Sequence, residues 1–293
     1  MKEIKLSLVY VILAASMWGT TGVSIRILSQ FHFSTVQIVV AKLIMADIFL
    51  TGFLLLTDRK KLKIERKDIK WFLGTGILSM LFFNVCYSIT VQQTSLSIAA
   101  VLLYTSPVFV MLFSIPIFRE KITRYKLVAI LLSVAGCALV SGIFSSDIGQ
   151  ITKKGLGFGV CAAIGYAFYS IFARILLKKY HSLTIISYTF LIASVGGVFI
   201  GNVPGIIEIC IKTPIAIGAV IGSALICSVL PYVLYTKALI NMEASRASVI
   251  ASVEPVVATM IGVFVFSEKI TVSAVFGIAC VLVAIGILNV KQN

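Results

Sequence analysis

Apolar residues in this chain do not alternate with polar ones. They run in blocks of roughly twenty, the length an α-helix needs to cross hydrocarbon at about 1.5 Å per residue. Ten blocks can be cut out, near 6–27, 34–56, 69–90, 95–118, 126–144, 156–177, 183–203, 214–236, 247–266 and 272–290. The punctuation between them is polar, for example Asp58-Arg59-Lys60-Lys61 and Arg119-Glu120-Lys121. Blocks that are apolar on every side describe helices with apolar surroundings on every side. The pattern predicts an all-α integral membrane protein with ten transmembrane helices. The first block, with Lys2 and Lys5 ahead of it and Ala14-Ala15-Ser16 inside it, has the look of a cleaved leader. It is read as structure instead, because it recurs later in the chain.

The recurrence appears when the chain is slid against itself by 148 residues. Glu120-Lys121-Ile122-Thr123 falls on Glu268-Lys269-Ile270-Thr271, and Pro107-Val108 on Pro255-Val256. Ser97 meets Ser245, Ala99 meets Ala247, Tyr87 meets Tyr235, and Trp18 meets Tyr166. Arg26-Ile27-Leu28 falls on Arg174-Ile175-Leu176. The chain therefore divides into two five-helix repeats, 1–144 and 145–293. Five is odd, so the second copy must enter the membrane from the opposite side. This inverted-topology arrangement recurs in secondary transporters, where it supplies two gates facing opposite compartments.

Composition narrows the class. Of 293 residues 59% are hydrophobic and 12% charged, and the mean hydropathy is +1.08. A soluble domain carries about 25% charged residues. A cytosolic enzyme, a disordered regulator and a nucleic-acid-binding module are excluded. The net charge of +14 sits in short loops. With the N-terminus inside, nineteen of the 25 Lys and Arg face the cytoplasm and five face outward, with Lys42 inside a span. The bias places both termini in the cytoplasm, and the membrane is expected to be the plasma membrane of a prokaryote. Cys86, Cys137, Cys161, Cys210, Cys227 and Cys280 lie in or beside apolar runs and form no CxxC pair; they read as buried thiols. No metal and no cofactor are expected. No Walker A, H-E-x-x-H or G-x-S-x-G pattern occurs, which argues against an enzyme and against direct ATP drive.

Ionisable groups at membrane depth are functional candidates. Lys42 lies about 12 Å, and Asp47 about 20 Å, below the outer face at 1.5 Å per residue. Glu254 is level with Asp47. Lys42 and Asp47 are five residues apart and face different directions. Lys42 either meets Glu254, binds a substrate carboxylate, or belongs to a structural ion pair. Glu254 and Asp47 are coupling candidates. Glu254, beside Pro255, could hold an ammonium group, carry a proton or satisfy freed backbone donors. Arg26, at the outer end of helix 1, reads as an anchor.

Trp18, Asn84, Tyr87, Tyr104, Tyr166, Tyr169, Tyr232 and Tyr235 are candidate lining of an amphipathic cavity, or else interhelical packing. Pro107, Pro231 and Pro255 are candidate hinges. The pairs Gly155–Gly159, Gly197–Gly201 and Gly218–Gly222 predict close helix approach.

The chain resembles the drug/metabolite transporters of the EamA type, over both halves. The resemblance rests on Trp18-Gly19, on Ser106-Pro107-Val108 with Arg119-Glu120-Lys121-Ile122-Thr123, and on Glu254-Pro255-Val256 with Ser267-Glu268-Lys269-Ile270-Thr271. It implies ten helices, cytoplasmic termini, a central cavity, peripheral helices 5 and 10, and export or exchange of small metabolites, often amino acids. Such proteins often carry an Arg in helix 2, where this chain has Lys42 and an added Asp47. The expected function is a secondary transporter of small polar metabolites, by alternating access and with proton coupling as an option. The alternatives are a membrane-embedded lipid-acting enzyme and a nucleotide-sugar or phosphorylated-sugar carrier. Expected partners are the metabolite and the lipid bilayer, with a homodimer as a further option and nucleic acid excluded.

Overall fold

A computed structural model describes residues 2–142 and 152–290. The protein is 85% helix, with no strand among the described residues. The predicted repeat boundary at 144/145 and the terminal Lys291 lie outside the described residues. Helix occupies most of the described part of each predicted run, with breaks inside runs such as 95–118, 183–203 and 247–266; residues 143 and 144 of the fifth run lie outside the described residues. Among the described residues, seven stretches are long and apolar enough to cross a membrane: Glu3–Gln30, Thr35–Thr57, Arg66–Gln93, Leu96–Phe118, Lys153–Leu176, Ile215–Asn241 and Ala244–Phe266. A further apolar pair of helices, Ser182–Val198 and Val203–Lys212, is bent by 95° between its two pieces. The bend follows from Asn202, which takes a left-handed φ of 46° and caps the second piece.

In chain order the helices are α1 (Lys2–Gly19), α2 (Thr21–Gln30), α3 (Thr35–Thr57), α4 (Ile69–Leu73), α5 (Phe82–Gln93), α6 (Leu96–Leu103), α7 (Ser106–Phe118) and α8 (Arg124–Val140). There follow α9 (Lys153–Leu176), α10 (Ser182–Val198), α11 (Val203–Lys212), α12 (Ile215–Ala224), α13 (Leu230–Asn241), α14 (Ala244–Ile250), α15 (Val253–Phe266) and α16 (Val272–Val290). A π-helical stretch, Gly74–Leu81, joins α4 to α5, and a second, Leu225–Val229, joins α12 to α13.

Local signals recur at the 148-residue displacement. Thr123 caps α8 by accepting from the Lys126 N–H at 3.2 Å, and Thr271 caps α16 by accepting from the Ala274 N–H at 3.2 Å. Helices α7 and α15 both end in a left-handed residue, Arg119 (φ 54°) and Ser267 (φ 55°). The next N–H reaches back six residues in each case, from Glu120 to the Ser114 carbonyl and from Glu268 to the Gly262 carbonyl. This closes the helix end with the chain turned sharply.

Two seams pair elements that are mates under the displacement. Gly136 of α8 lies on Cys280 and Val281 of α16, while Gly277 lies on Leu139 and Val140, so these helices run antiparallel. Along α3 and α10, Val40 meets Gly197 and Gly201, Asp47 meets Ser194, and Thr51 meets Ser187, again antiparallel. Of the three predicted glycine pairs, Gly155–Gly159 packs on Thr94 and Leu102, and Gly197–Gly201 on Val40. Gly218 and Gly222 have no neighbour within 4 Å of a built Cβ. That pair opens no close approach, because α12 turns this face away from other helices. Large apolar side chains such as Leu56, Phe199 and Phe264 stand exposed around the outside, which suits hydrocarbon and not water.

Contacts define the two ends. At the basic end the loop after α3 meets the start of α10: Lys179 bonds Asp68 at 2.6 Å and Glu65 at 2.5 Å, and Thr184 donates to the Lys61 carbonyl. These carboxylates hold the Lys179 ammonium above its ordinary range, and Lys179 with Lys67 holds the Glu65 carboxyl below its own. At the far end Arg26 meets Glu268 and Thr152 meets Gln93.

Candidate functional site

An aromatic chamber lies between the halves. Trp18 on α1 has Tyr232 at 5.1 Å, Tyr235 at 5.4 Å and Tyr166 at 6.4 Å between ring centroids. Tyr169 stands edge-on to Tyr232 at 4.8 Å. The i,i+3 spacing of Tyr166/Tyr169 on α9 and Tyr232/Tyr235 on α13 puts each pair on one helix face. Two hydroxyls are engaged, Tyr169 with Thr236 at 2.6 Å and Tyr235 with Ser170 at 2.8 Å. The enclosed space, also lined by Ser79 and Phe83, is about 10 Å³, room for about one water.

Gly19 explains the Trp18-Gly19 pair. A Cβ there would stand 2.9 Å from the Glu254 carbonyl oxygen and 2.9 Å from the Val257 Cβ. Only glycine lets α1 lie this close to α15 beside Glu254. The chain is broken just before that point: α14 ends at Ile250, α15 begins at Val253, and Pro255 sits in its first turn. The same break separates α6 from α7, with Pro107 in the first turn of α7. Pro231 stands in the first turn of α13, directly after the second π-helical stretch. All three candidate hinges thus begin a helix after an interruption.

From the far end a cleft of about 190 Å³ runs between the halves, lined by Leu96, Ser97, Ala100, Tyr104, Val140, Ser141, Pro255, Ala258 and Thr259. Glu254 directly precedes the cleft-lining Pro255, and its carbonyl oxygen lies beside Gly19, next to the chamber residue Trp18. Its charge acts on the hydroxyls of Tyr87, Tyr104, Tyr166 and Tyr232 and on the Cys137 thiol. Among the described residues, no hydrogen bond or ion pair engages its carboxylate. A membrane-depth carboxylate in that position requires a cation or a proton.

The other candidates are distributed differently. Among the described residues, Lys42 makes no ion pair with Glu254 or Asp47. Asp47 accepts from Thr51 at 2.8 Å and Ser194 at 3.4 Å, tying α3 to α10. Asn84 donates its amide to the Met80 carbonyl at 2.7 Å, in the π-helical stretch just before α5. Tyr87 packs on Phe83 at 5.9 Å, and Tyr104 lines the cleft. Arg26 is not a free anchor. It pairs with Glu268 at 2.5 Å and lies 3.9 Å over the Phe266 ring, because the last residue of α15 and the turn after it stand against it. The sequence reading missed Ser79, Phe83 and Ser170; Phe83 lies four residues before Tyr87 and Ser170 four residues after Tyr166, so the i,i+4 spacing could have found both, while Ser79 carries no such signal.

Fold and chamber define a polytopic helical membrane protein with an aromatic chamber and an adjoining cleft between its halves. The profile of the EamA-like transporter family matches residues 5–142 and again residues 153–290, two matches displaced by the same 148 residues. The chain belongs to the EamA-like transporter family, a family of transporters and not of enzymes. It is 25% identical over 284 residues to an uncharacterized transporter of Archaeoglobus fulgidus, covering 96% of this chain and 97% of that protein. It is 24% identical over 303 residues to an uncharacterized transporter of Clostridium kluyveri, covering 97% and 93%. A solved crystal structure has the same fold, with TM-score 0.79 at 12% identity over 97% of this chain and 96% of that one.

Proposed function

We propose that this transporter moves small polar metabolites that carry an ammonium group, amino acids among them, across a prokaryotic plasma membrane by alternating access. Ten spans in two inverted repeats, 1–144 and 145–293, enclose the path. The basic end is cytoplasmic, and the solute leaves the cell or exchanges. One observation carries the substrate reading: the unpartnered Glu254 carboxylate, ringed by tyrosines at the foot of a water-wide cleft. Carboxylate and aromatic faces both attract an ammonium. With the solute gone, a proton can take the same carboxylate, which couples flux to a proton gradient. The antiparallel seams between mates support the inverted arrangement.

The test is counterflow in sealed proteoliposomes against a panel of amino acids, amines and sugar phosphates, repeated with Glu254→Gln. Amine-bearing solutes should exchange, and Glu254→Gln should lower exchange by at least about tenfold, as expected when one partner of a desolvated charge pair is lost. Exchange of sugar phosphates instead, or unaltered amine flux in Glu254→Gln, refutes the reading.

A further inference from the structure

Two groups of three residues, each a mate of the other at the 148-residue displacement, bridge the halves at opposite ends. At the far end Arg26 of the first half lies over Phe266 and pairs with Glu268 of the second. At the basic end Arg174 of the second half lies 4.7 Å over Phe118 and pairs with Glu120 of the first. The geometry that presents the two carboxylates is the same, since each follows a left-handed residue and a six-residue backbone closure. Their surroundings are not the same. Glu120 also accepts from the Ser245 hydroxyl and, at 3.1 Å, from the Ala244 N–H, and Lys126 stands 3.8 Å away, itself paired with Glu243. Its side chain is 5% exposed and that of Arg174 24%. The Glu268 side chain is 50% exposed and that of Arg26 53%.

The difference extends to what each carboxylate closes. Every residue of α14 is buried, and Pro107 and Met111 opposite it are buried as well. Among their mates, Leu96, Ser97, Ala100, Pro255 and Thr259 line the open cleft. The residue beneath each carboxylate agrees. Glu268 lies folded onto Gly262, where a Cβ would meet its Oε2. The mate of Gly262 is Ser114, whose buried hydroxyl has no hydrogen-bond partner, as if its own carboxylate had swung away from it.

We propose that Glu120 and Glu268 are matched gate carboxylates. Docked on Ser245 and Ala244, Glu120 seals the basic end. Folded back on Gly262 and held by Arg26 alone, Glu268 leaves the far end open, and the conformation is open on that side. In the opposite conformation Glu268 docks toward Leu96 and Ser97 while Glu120 releases Ser245 and returns to Ser114. A half-exposed ion pair contributes little by itself. The switch is therefore the gain or loss of the hydroxyl and amide donors, with each Arg keeping its carboxylate throughout. The proposal rests on the alternating-access reading above.

Mate positions give a direct readout. Ala100 lines the open cleft, and its mate Ser248 is buried. Ala100→Cys and Ser248→Cys are introduced separately, the protein is placed in lipid nanodiscs, and labelling by a bulky water-soluble maleimide is timed against the parent with its native cysteines. The parent background should label fast at 100 and slowly at 248. Glu120→Ala should speed labelling at 248 and slow it at 100, each by about tenfold, within the range typical of coupling between conformational states. Glu268→Ala should push the other way. If Glu120→Ala does not fold, Ser245→Ala removes one donor and should shift both rates in the same directions by several-fold. Rates that stay within about twofold, or that rise at both positions together, overturn the proposal. Counterflow on the same samples separates the two ideas: unaltered accessibility in an actively exchanging protein sinks the gates, while opposed shifts in a protein that exchanges no solute uphold the gates and sink the transport reading.

Discussion

The α8–α16 seam offers a sharp energetic test, because a matched control sits on the same helix. A Cβ at Gly277 would stand 2.6 Å from the Gly136 carbonyl oxygen and 2.8 Å from both the Leu139 Cβ and the Val140 Cγ2. Favourable contacts of this kind lie near 3.5–4.0 Å. The nearest atom is backbone, so no rotamer change relieves it, and the two helices must part by roughly 1 Å. Overpacking of this kind costs about 1–3 kcal/mol. Removing a helix-interior glycine returns up to about 1 kcal/mol. At Gly286, two and a half turns on, nothing lies within 4 Å of a built Cβ, so Gly286→Ala keeps only the gain. Gly277→Ala should then be about 1–3 kcal/mol less stable than Gly286→Ala, or about 2–10 °C lower in apparent melting midpoint in detergent. Near-ultraviolet circular dichroism of both variants and the parent would measure it. Equal midpoints would mean that the seam does not rest on glycine contact.

Gly262→Ala should force Glu268 off its resting place and slow maleimide labelling at Ala100→Cys by several-fold; an unaltered rate would show that Glu268 does not control that cleft. Tyr235→Phe strips the buried Ser170 hydroxyl of its partner and should cost about 1–2 kcal/mol, with Ser170→Ala restoring most of it, as read by a double-mutant cycle in denaturation midpoints. Glu65 has a depressed folded value, so its contribution to docking the loop after α3 is present above the unfolded carboxyl range and lost as pH falls through the folded one. Pepsin cleavage of the 58–68 loop should accordingly rise as pH drops, and Lys179→Gln should flatten that dependence. Persistence of the full pH profile in Lys179→Gln would refute the assignment.

Much of this was legible in the chain. Apolar run length located the helices, since an element surrounded by apolar matter has no other way to satisfy its backbone. Displacement matching found Glu120/Glu268 and Arg26/Arg174 as repeated letters, yet not as bonded partners. A sequence repeat pairs each residue with its copy, whereas the fold pairs Arg26 with the copy of Glu120. The tyrosine pairs on α9 and α13 were visible as i,i+3 spacings. The absence of a Lys42–Glu254 pair was not visible, because depth along a helix says nothing of rotation about it. The emptiness beside Gly218 and Gly222 has the same cause: a small-residue spacing marks where a neighbour could come close, not that one does.

The chamber draws Tyr166, Tyr169, Ser170, Tyr232 and Tyr235 from the second copy and from the first only Trp18, Ser79 and Phe83. The position matching Glu254 is Ser106. The two copies are therefore alike in sequence at Glu120 and Glu268 and at Arg26 and Arg174, and unlike in what they give to the chamber. On the transport reading proposed above, a solute would meet one chemically distinct face, set by the second copy, while the paired elements around it follow the repeat.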